Sequence, residues 1–325
     1  MLPVTKLDFD QLHRLRSGAV LAGAEPALFR ITGPGALDCI QGLWTNDLLQ
    51  QDDGALTYGA LLTPKGMIVA DGWSLRSGAE LTLVLPATAR SLVTQAFGRS
   101  LPPRLATATD ISGTTAALLV LGESAAERWP VLPLGRLPTP GSVGQTETAA
   151  GSALVAVPAL GPFAVLLVGT PQALAGVGSV LEAAGMTHGS GADVEASRII
   201  AGWPALGTEI DERTLPQEVR FDEHGGVSYT KGCYTGQETV ARLHFRGHAN
   251  RQLRGIRWRG ARPADDVITA GDRNVGRVGS LLALPDRVLG LAVVRRELGL
   301  GDHVTAGGAR AEITELPFAT ADLEG

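Results

Sequence analysis

The sequence predicts an α+β protein built from several subdomains and ending in a small antiparallel β-barrel or sandwich. Three observations carry this. In the first hundred residues, strand-like apolar runs follow one another in close order beside only two helical patterns, as in a sheet covered by helices rather than a doubly wound fold. Residues 113–185 repeat the theme with their own strands and helix. From residue 250 onward, short strands are separated by Gly and Asp turns with little helix propensity between them. The chain has 325 residues, 44% of them hydrophobic, enough to bury a sizeable core in two or three domains.

In order, residues 18–21 and 27–32 read as strands, and Pro34 starts a helix with Leu37, Ile40 and Leu43 on one face. Cys39 falls in that helix and reads as core, since free cysteine behaves as a small apolar residue. Thr45-Asn46-Asp47 follows as a turn of caps and Asx-type side chains. Residues 56–63 and 67–75 flank the turn Thr63-Pro64-Lys65-Gly66, a hairpin signal. Lys65 at its tip reads as solvated, whereas Asp71 is unusual, because carboxylates are depleted inside strands. Residues 81–85 supply a third strand and 87–97 a helix, and 102–112 reads as polar connection. In the second block, 114–121, 154–157 and 163–168 read as strands, and 123–129 and 173–184 as helices. The Pro/Gly/Ser/Thr-rich stretch 133–151 reads as loop or irregular hairpin. Residues 193–201 form a helix that stops at Gly202 and Pro204; on it Glu195 and Arg198 share a face as an ordinary surface pair. Residues 207–226 carry no periodic element, and so long an extended connection is often functional.

Composition narrows the classes. Two cysteines, Cys39 and Cys233, exclude a disulfide scaffold and suit a reducing compartment. No signal peptide opens the chain and no apolar run reaches membrane-spanning length, so a cytoplasmic protein without a membrane partner is expected. The net charge of −5 favours solubility and opposes broad attraction to nucleic acid.

The stretch Tyr229-Thr230-Lys231-Gly232-Cys233-Tyr234-Thr235-Gly236-Gln237-Glu238 stands out. Two glycines around a cysteine make a loop in which the backbone takes unusual conformations or comes close to other groups. The cysteine is either a small buried filler or a thiol made reactive by the neighbouring charge of Lys231; spacing alone does not separate the two. Six arginines follow within residues 242–259. Ile256 and Trp258 alternate with Arg257 and Arg259 as in a half-buried strand, while the stretch as a whole suits an anion. His244 and His248 could join Cys233 as zinc ligands, but without a second nearby cysteine no metal site is expected.

The run 231–238, Lys-Gly-Cys-Tyr-Thr-Gly-Gln-Glu, resembles the signature of the YgfZ/GcvT-like folate-binding proteins. Phe29-Arg30-Ile31-Thr32-Gly33, Leu43-Trp44-Thr45-Asn46-Asp47, the segment from Glu195 to Pro204 and Pro216-Gln217-Glu218 are similar to other parts of that family, as are residues 276–280 and 290–295 in the barrel. The resemblance implies a fold of several subdomains around a central cavity. Residues 1–249 would form the folate-binding region, with a smaller subdomain around 113–185, and 250–325 the antiparallel barrel. It implies tetrahydrofolate as cofactor and a part in assembly or repair of iron–sulfur proteins, which would be the partners. Cys233, as a thiolate, and Lys231 would carry the chemistry. Trp44, Thr45, Asn46, Asp71, Glu195, Arg198, Trp203, Gln237, Glu238, Arg246 and Arg251 would contact the folate, the two arginines through its glutamate tail.

Three departures separate the chain from the family's aminomethyltransferases, the most telling being that Cys233 and its neighbours match the YgfZ signature. The chain also has Ala70-Asp71 where they have adjacent aspartates, and Ile200 where they have a glutamate that holds the pterin. An aliphatic side chain cannot replace such a hydrogen bond, so the accessory-protein branch is favoured over aminomethyl transfer. A competing reading makes the arginine stretch an RNA-binding or scaffold surface, whose affinity would fall steeply with salt.

Overall fold

The computed structural model describes residues 4–49, 53–130, 134–260 and 262–323. Residues 1–3, part of the start expected to lack a signal peptide, and Pro133, the first residue of the expected 133–151 loop, lie outside them. The chain forms two helix-covered sheets that face each other across a shared core, and a closed barrel docked beside them.

The first sheet runs Leu56–Leu62, Ile68–Ser77, Glu80–Leu85, Ala27–Thr32, Thr107–Asp110, all antiparallel. Its side chains sort by the two-residue period of a strand. Phe29, Ile31, Leu81 and Leu83 point to the helices Ala36–Gln41 and Arg90–Ser100, where Ile40, Val93 and Phe97 complete a core. Leu28 and Val84 point the other way, as does the series Asp71, Trp73, Leu75 in the long strand. The expected hairpin is present, with Lys65 exposed at its tip. The edge strand Thr107–Asp110 lies in what reads from sequence as polar connection. Its alternating exposed and half-buried side chains bury little, and pairing with Ala27–Thr32 orders it.

The second sheet has the order Thr187–His188, Val20–Ala24, Ala116–Leu121, Val165–Gly169, Gly151–Val157, Ser142–Thr148. Val165 and Leu167 pack outward on the helix Pro171–Ala183 through Leu174 and Val177, while Leu166 and Val168 enter the shared core. One strand of this sheet comes from the N-terminal block. Ser142–Thr148 turns the Pro/Gly-rich stretch into a regular hairpin with its neighbour, and the expected helix at 123–129 is only the 3-10 turn Glu123–Ala125.

Six antiparallel strands, Arg251–Arg259, Val267–Ala270, Arg273–Ala283, Arg287–Arg295, His303–Ala306 and Ala309–Thr314, close into a barrel because Arg273–Ala283 pairs with Arg287–Arg295. Closure removes the sheet edges. Ile256 and Trp258 fill the interior, where the indole N–H donates to the Ala306 carbonyl at 3.2 Å. No helix among the described residues is long and apolar enough to cross a membrane.

The helix Gly191–Ile200 joins the three parts. Arg198 is buried rather than part of an ordinary surface pair. Its guanidinium is bound by Glu195, by Glu209 at 3.1 Å, by the Trp203 carbonyl and by Ser280 of the barrel. Glu209 is fully buried and also accepts from Ala205 N, Thr208 Oγ1 and Ser280 N at 3.0, 2.7 and 2.8 Å. The extended 207–226 connection is therefore fixed near its start by a buried carboxylate. At Gly279 a Cβ would sit 2.3 Å from the Glu209 carboxylate, so the barrel strand needs a glycine to approach. Replacing Arg198 by alanine leaves Glu209 as an uncompensated buried charge, and a loss of about 3–5 kcal/mol in urea unfolding is expected. A loss below about 1 kcal/mol would contradict this account of the network.

Candidate functional site: an aromatic cavity and a cysteine loop

Between the facing sheets and the Arg198 helix lies a cavity of about 260 Å³. The strand period places Asp71 and Trp73 on its wall, and Tyr58 reaches it from the paired strand. Trp203 and Pro204, just after the helix stop, and Phe163 close other sides. The rings form one cluster: Tyr58 lies 5.1 Å from Trp73 and 4.8 Å from Trp203, and the two indoles stack at 5.8 Å and 19°. Asp71 is the only carboxylate among the cavity's lining residues. One of its oxygens accepts from the Tyr58 hydroxyl at 2.8 Å; the other has no hydrogen-bond partner among the described residues. Burial lifts the Asp71 carboxyl from its ordinary 3.8 to about 6, against the opposing Tyr58 bond and the Arg198 charge. Burial, and then the Asp71 charge, push the Tyr58 phenol well above its usual range. His224 stacks on Trp203 at 3.9 Å. Burial and the nearby Arg220 pull its imidazole down to about 3, and neither ring nitrogen has a partner among the described residues.

The cysteine loop is held elsewhere. Lys231 turns inward, and its ammonium donates to the carbonyls of Gln41, Trp44 and Asn46 at 2.7, 2.6 and 2.9 Å. These carbonyls follow the end of the helix Ala36–Gln41, where a cation is favoured. Burial pulls Lys231 down to about 8, with the Asp47 carboxylate opposing. Around it, Thr45 donates to Gly226 O at 2.6 Å and Asn46 to Gly225 O and Tyr58 O at 2.7 and 2.9 Å. Gly236 has φ +83° and lies against the hairpin tip, where a Cβ would meet Thr63 O at 2.6 Å. Cys233 is exposed and Cys39 half-buried against the first core.

The structure thus divides the expected site residues. Asp71, Arg198 and Trp203 share the cavity, with Glu195 bonded to the outer side of Arg198. Trp44 is fully buried among the helices of the first sheet, and Thr45 and Asn46 are stitched to backbone. Gln237 and the exposed Glu238 open the helix Gln237–Arg246, at whose end Arg246 is exposed. Arg251 grips Glu218 through two bonds of 2.8 and 3.0 Å and faces a separate groove. No residue of 229–238 is on the cavity wall, because Lys231 ties that loop to the far end of the helix Ala36–Gln41. Among the described residues, no three His, Cys, Asp or Glu side chains are grouped to hold a metal. Sequence reading passes over Tyr58, Trp73, Phe163 and His224. For Tyr58 and Trp73 a signal exists: both lie in buried strands beside Asp71, and a buried tyrosine hydroxyl needs a partner.

A profile of the GCVT N-terminal domain matches residues 15–128. The tRNA-modifying protein YgfZ of Cronobacter sakazakii is 33% identical over 132 residues, 37% of this chain and 40% of that protein. The protein of the same name from Serratia proteamaculans is 36% identical over 137 residues, 38% and 41% of the two chains. The match spans about two fifths of these relatives. In fold, the chain superposes on the glycine cleavage system aminomethyltransferase T from Bartonella henselae with a TM-score of 0.76, covering 96% of this chain and 89% of that one at 16% identity.

The raised Asp71 carboxyl has a consequence for stability. Its protonated form is the one the folded state favours, so its contribution is complete below about pH 3.8 and lost as pH rises through about 6. Asp71→Asn keeps an acceptor for Tyr58 and does not titrate. Relative to wild type it is expected to gain up to about 3 kcal/mol between about pH 4 and about pH 7, read by urea midpoints. A difference that stays constant with pH would contradict the assignment.

Proposed function

We propose, from the chain's similarity to the GCVT N-terminal domain and to YgfZ proteins, that its aromatic cavity holds the head of a reduced folate and that the protein serves assembly or repair of iron–sulfur enzymes. The observation that carries the reading is the partnerless Asp71 oxygen inside an apolar, indole-walled cavity. Such an oxygen calls for a ligand N–H, and a flat heterocycle with several N–H donors fits both the acceptor and the rings. At about 260 Å³ the cavity lies just below the usual range for small-molecule sites, about 300–1,000 Å³. It suits the bicyclic head with the glutamate tail outside. When bound, tetrahydrofolate would supply one-carbon chemistry; the protein's part is to orient it through Asp71, Tyr58 and the Trp203 face and to exclude water. Ile200 lines a neighbouring groove beside Phe318 rather than the cavity, so the departure at that position leaves the cavity lining untouched, and Asp71 is the sole carboxylate on it.

Cys233 is proposed as the group that meets the iron–sulfur client, since it is exposed on a loop pinned by Lys231. Lys231 acts in this reading as a positioning residue. The relatives' name, tRNA-modifying protein, suggests tRNA modification as the process served.

Calorimetry with tetrahydrofolate tests the first half. Wild type is expected to bind and Asp71→Ala to lose at least about tenfold, the scale of one buried hydrogen bond to a charged group; no heat up to about millimolar ligand would sink the reading, since the weakest specific complexes lie there. For the second half, iodoacetamide should label Cys233 faster than Cys39 in the native protein. Cys233→Ser should fold and bind folate normally yet fail to sustain iron–sulfur enzyme activity in cells. Faster labelling of Cys39, or full activity of the variant, would make Cys233 structural.

A further inference from the structure

The arginine-rich stretch does not border the cavity, and two of its members are neutralised by carboxylates. Arg251 is neutralised by Glu218, and Arg257 by Glu312 and Asp322. Arg242 and Arg246, exposed on the helix Gln237–Arg246, have no acidic partner among the described residues, and neither do Arg295 and Arg296 at the end of their barrel strand. These last two line a groove of about 1270 Å³ with Arg251, Arg277 and His248. Its acids are already engaged: Glu218 by Arg251 and Glu297 by Arg273 at 2.9 Å. A smaller hollow of about 250 Å³, lined in part by His244, shares His248, Arg251 and Arg296 with it, so the two are continuous.

At the helix end of this groove stands an aromatic group. Tyr229 and His244 stack at 3.6 Å and 17°, with the Tyr229 hydroxyl donating to Asp222. Phe245 meets His244 edge-on at 4.8 Å and is 66% exposed. A phenyl ring held beside stacked rings and left open to water, between Arg242 and Arg246, is a platform for another flat ring. A groove of this size with surplus guanidinium groups is made for a chain of negative charges rather than for one ion.

We propose that this face binds a single-stranded polynucleotide, with backbone phosphates on Arg246, Arg295 and Arg296 and a base stacked on Phe245. Phosphate contacts and base stacking are the two elements of single-strand recognition. An acidic polypeptide would use the arginines and leave Phe245 without a partner. The net charge of −5 is that of the whole chain; the field in the groove is set by the local excess of arginine. The surface is separate from the cavity and does not depend on the folate reading.

The test is fluorescence anisotropy of labelled RNA and DNA strands of about twelve nucleotides with the full chain, at about 50 mM and about 200 mM salt. Saturable binding that weakens with salt is expected. The double variant Arg295→Ala/Arg296→Ala should reduce the salt slope by about 1.4, at about 0.7 per phosphate contact on single strands. Phe245→Ala should weaken binding at least about fivefold and leave the slope unchanged, the mark of stacking. Arg99→Ala, an exposed residue of the first sheet's helix, serves as control and should match wild type. Binding of RNA, DNA or both supports the site, and their ratio identifies the source. Absence of binding to both up to about 100 μM protein, the weak end of the usual non-specific range, overturns it. So does a Phe245→Ala variant equal to wild type, or displacement of the strand by polyglutamate at equal charge. Folate calorimetry reads the other site, so the two proposals fail independently.

Discussion

The joint between the cavity wall and the barrel depends on how Arg198 is held. A guanidinium taken out of water costs several kcal/mol unless its donors are met, and here carboxylates on two sides, a backbone carbonyl and a serine of the barrel meet them. The same group forms part of the cavity wall. The arrangement therefore joins the cavity wall to barrel docking in one set of bonds. It also accounts for the Glu209 carboxylate: a fully buried anion is tolerated because Arg198, Thr208 and two backbone N–H groups surround it. Burial pulls Arg198 down while Glu195 and Glu209 raise it, and the net direction is up, so the cation is secure.

The cavity itself follows from strand arithmetic. Each sheet sends one face of its side chains to its own helices and the other face inward. Where two such inward faces meet, large rings and a single acid leave a space that aliphatic side chains would have filled. Tyr58, Trp73 and Trp203 hold one another apart by ring contacts, which are geometrically demanding, and Asp71 is left with one oxygen unmet.

Much of this was legible in the chain. Thr63-Pro64-Lys65-Gly66 announced its hairpin, and the alternation at Ile256 and Trp258 its barrel strand, because turn chemistry and two-residue periods are local properties. Asp71 stood out for a local reason as well. Apart from the helix expected at 123–129, which is only a 3-10 turn, the failures are long-range. Arg198 beside Glu195 reads as a surface pair until Glu209 and Ser280, 11 and 82 residues away, are placed against it. Lys231 reads as a charge for Cys233 until three carbonyls from residues 41–46 claim it. Thr107–Asp110 has no strand pattern of its own and borrows order from a neighbour. The arginines after residue 242 look alike in one dimension, and only their acidic partners distinguish the neutralised from the free.

The Lys231 anchor sets an order of events. Its acceptors lie 185 to 190 residues earlier in the chain, so during synthesis the first sheet and its helix emerge long before the lysine that will dock on them. Domains generally fold as units from the N-terminus, and the cysteine loop would then arrive on a finished template. Until it docks, the thiol sits on an unanchored segment and has no defined neighbours. Presentation of Cys233 in its final setting thus requires that the template around residues 41–46 has folded, and a chain damaged there would display its cysteine without that setting.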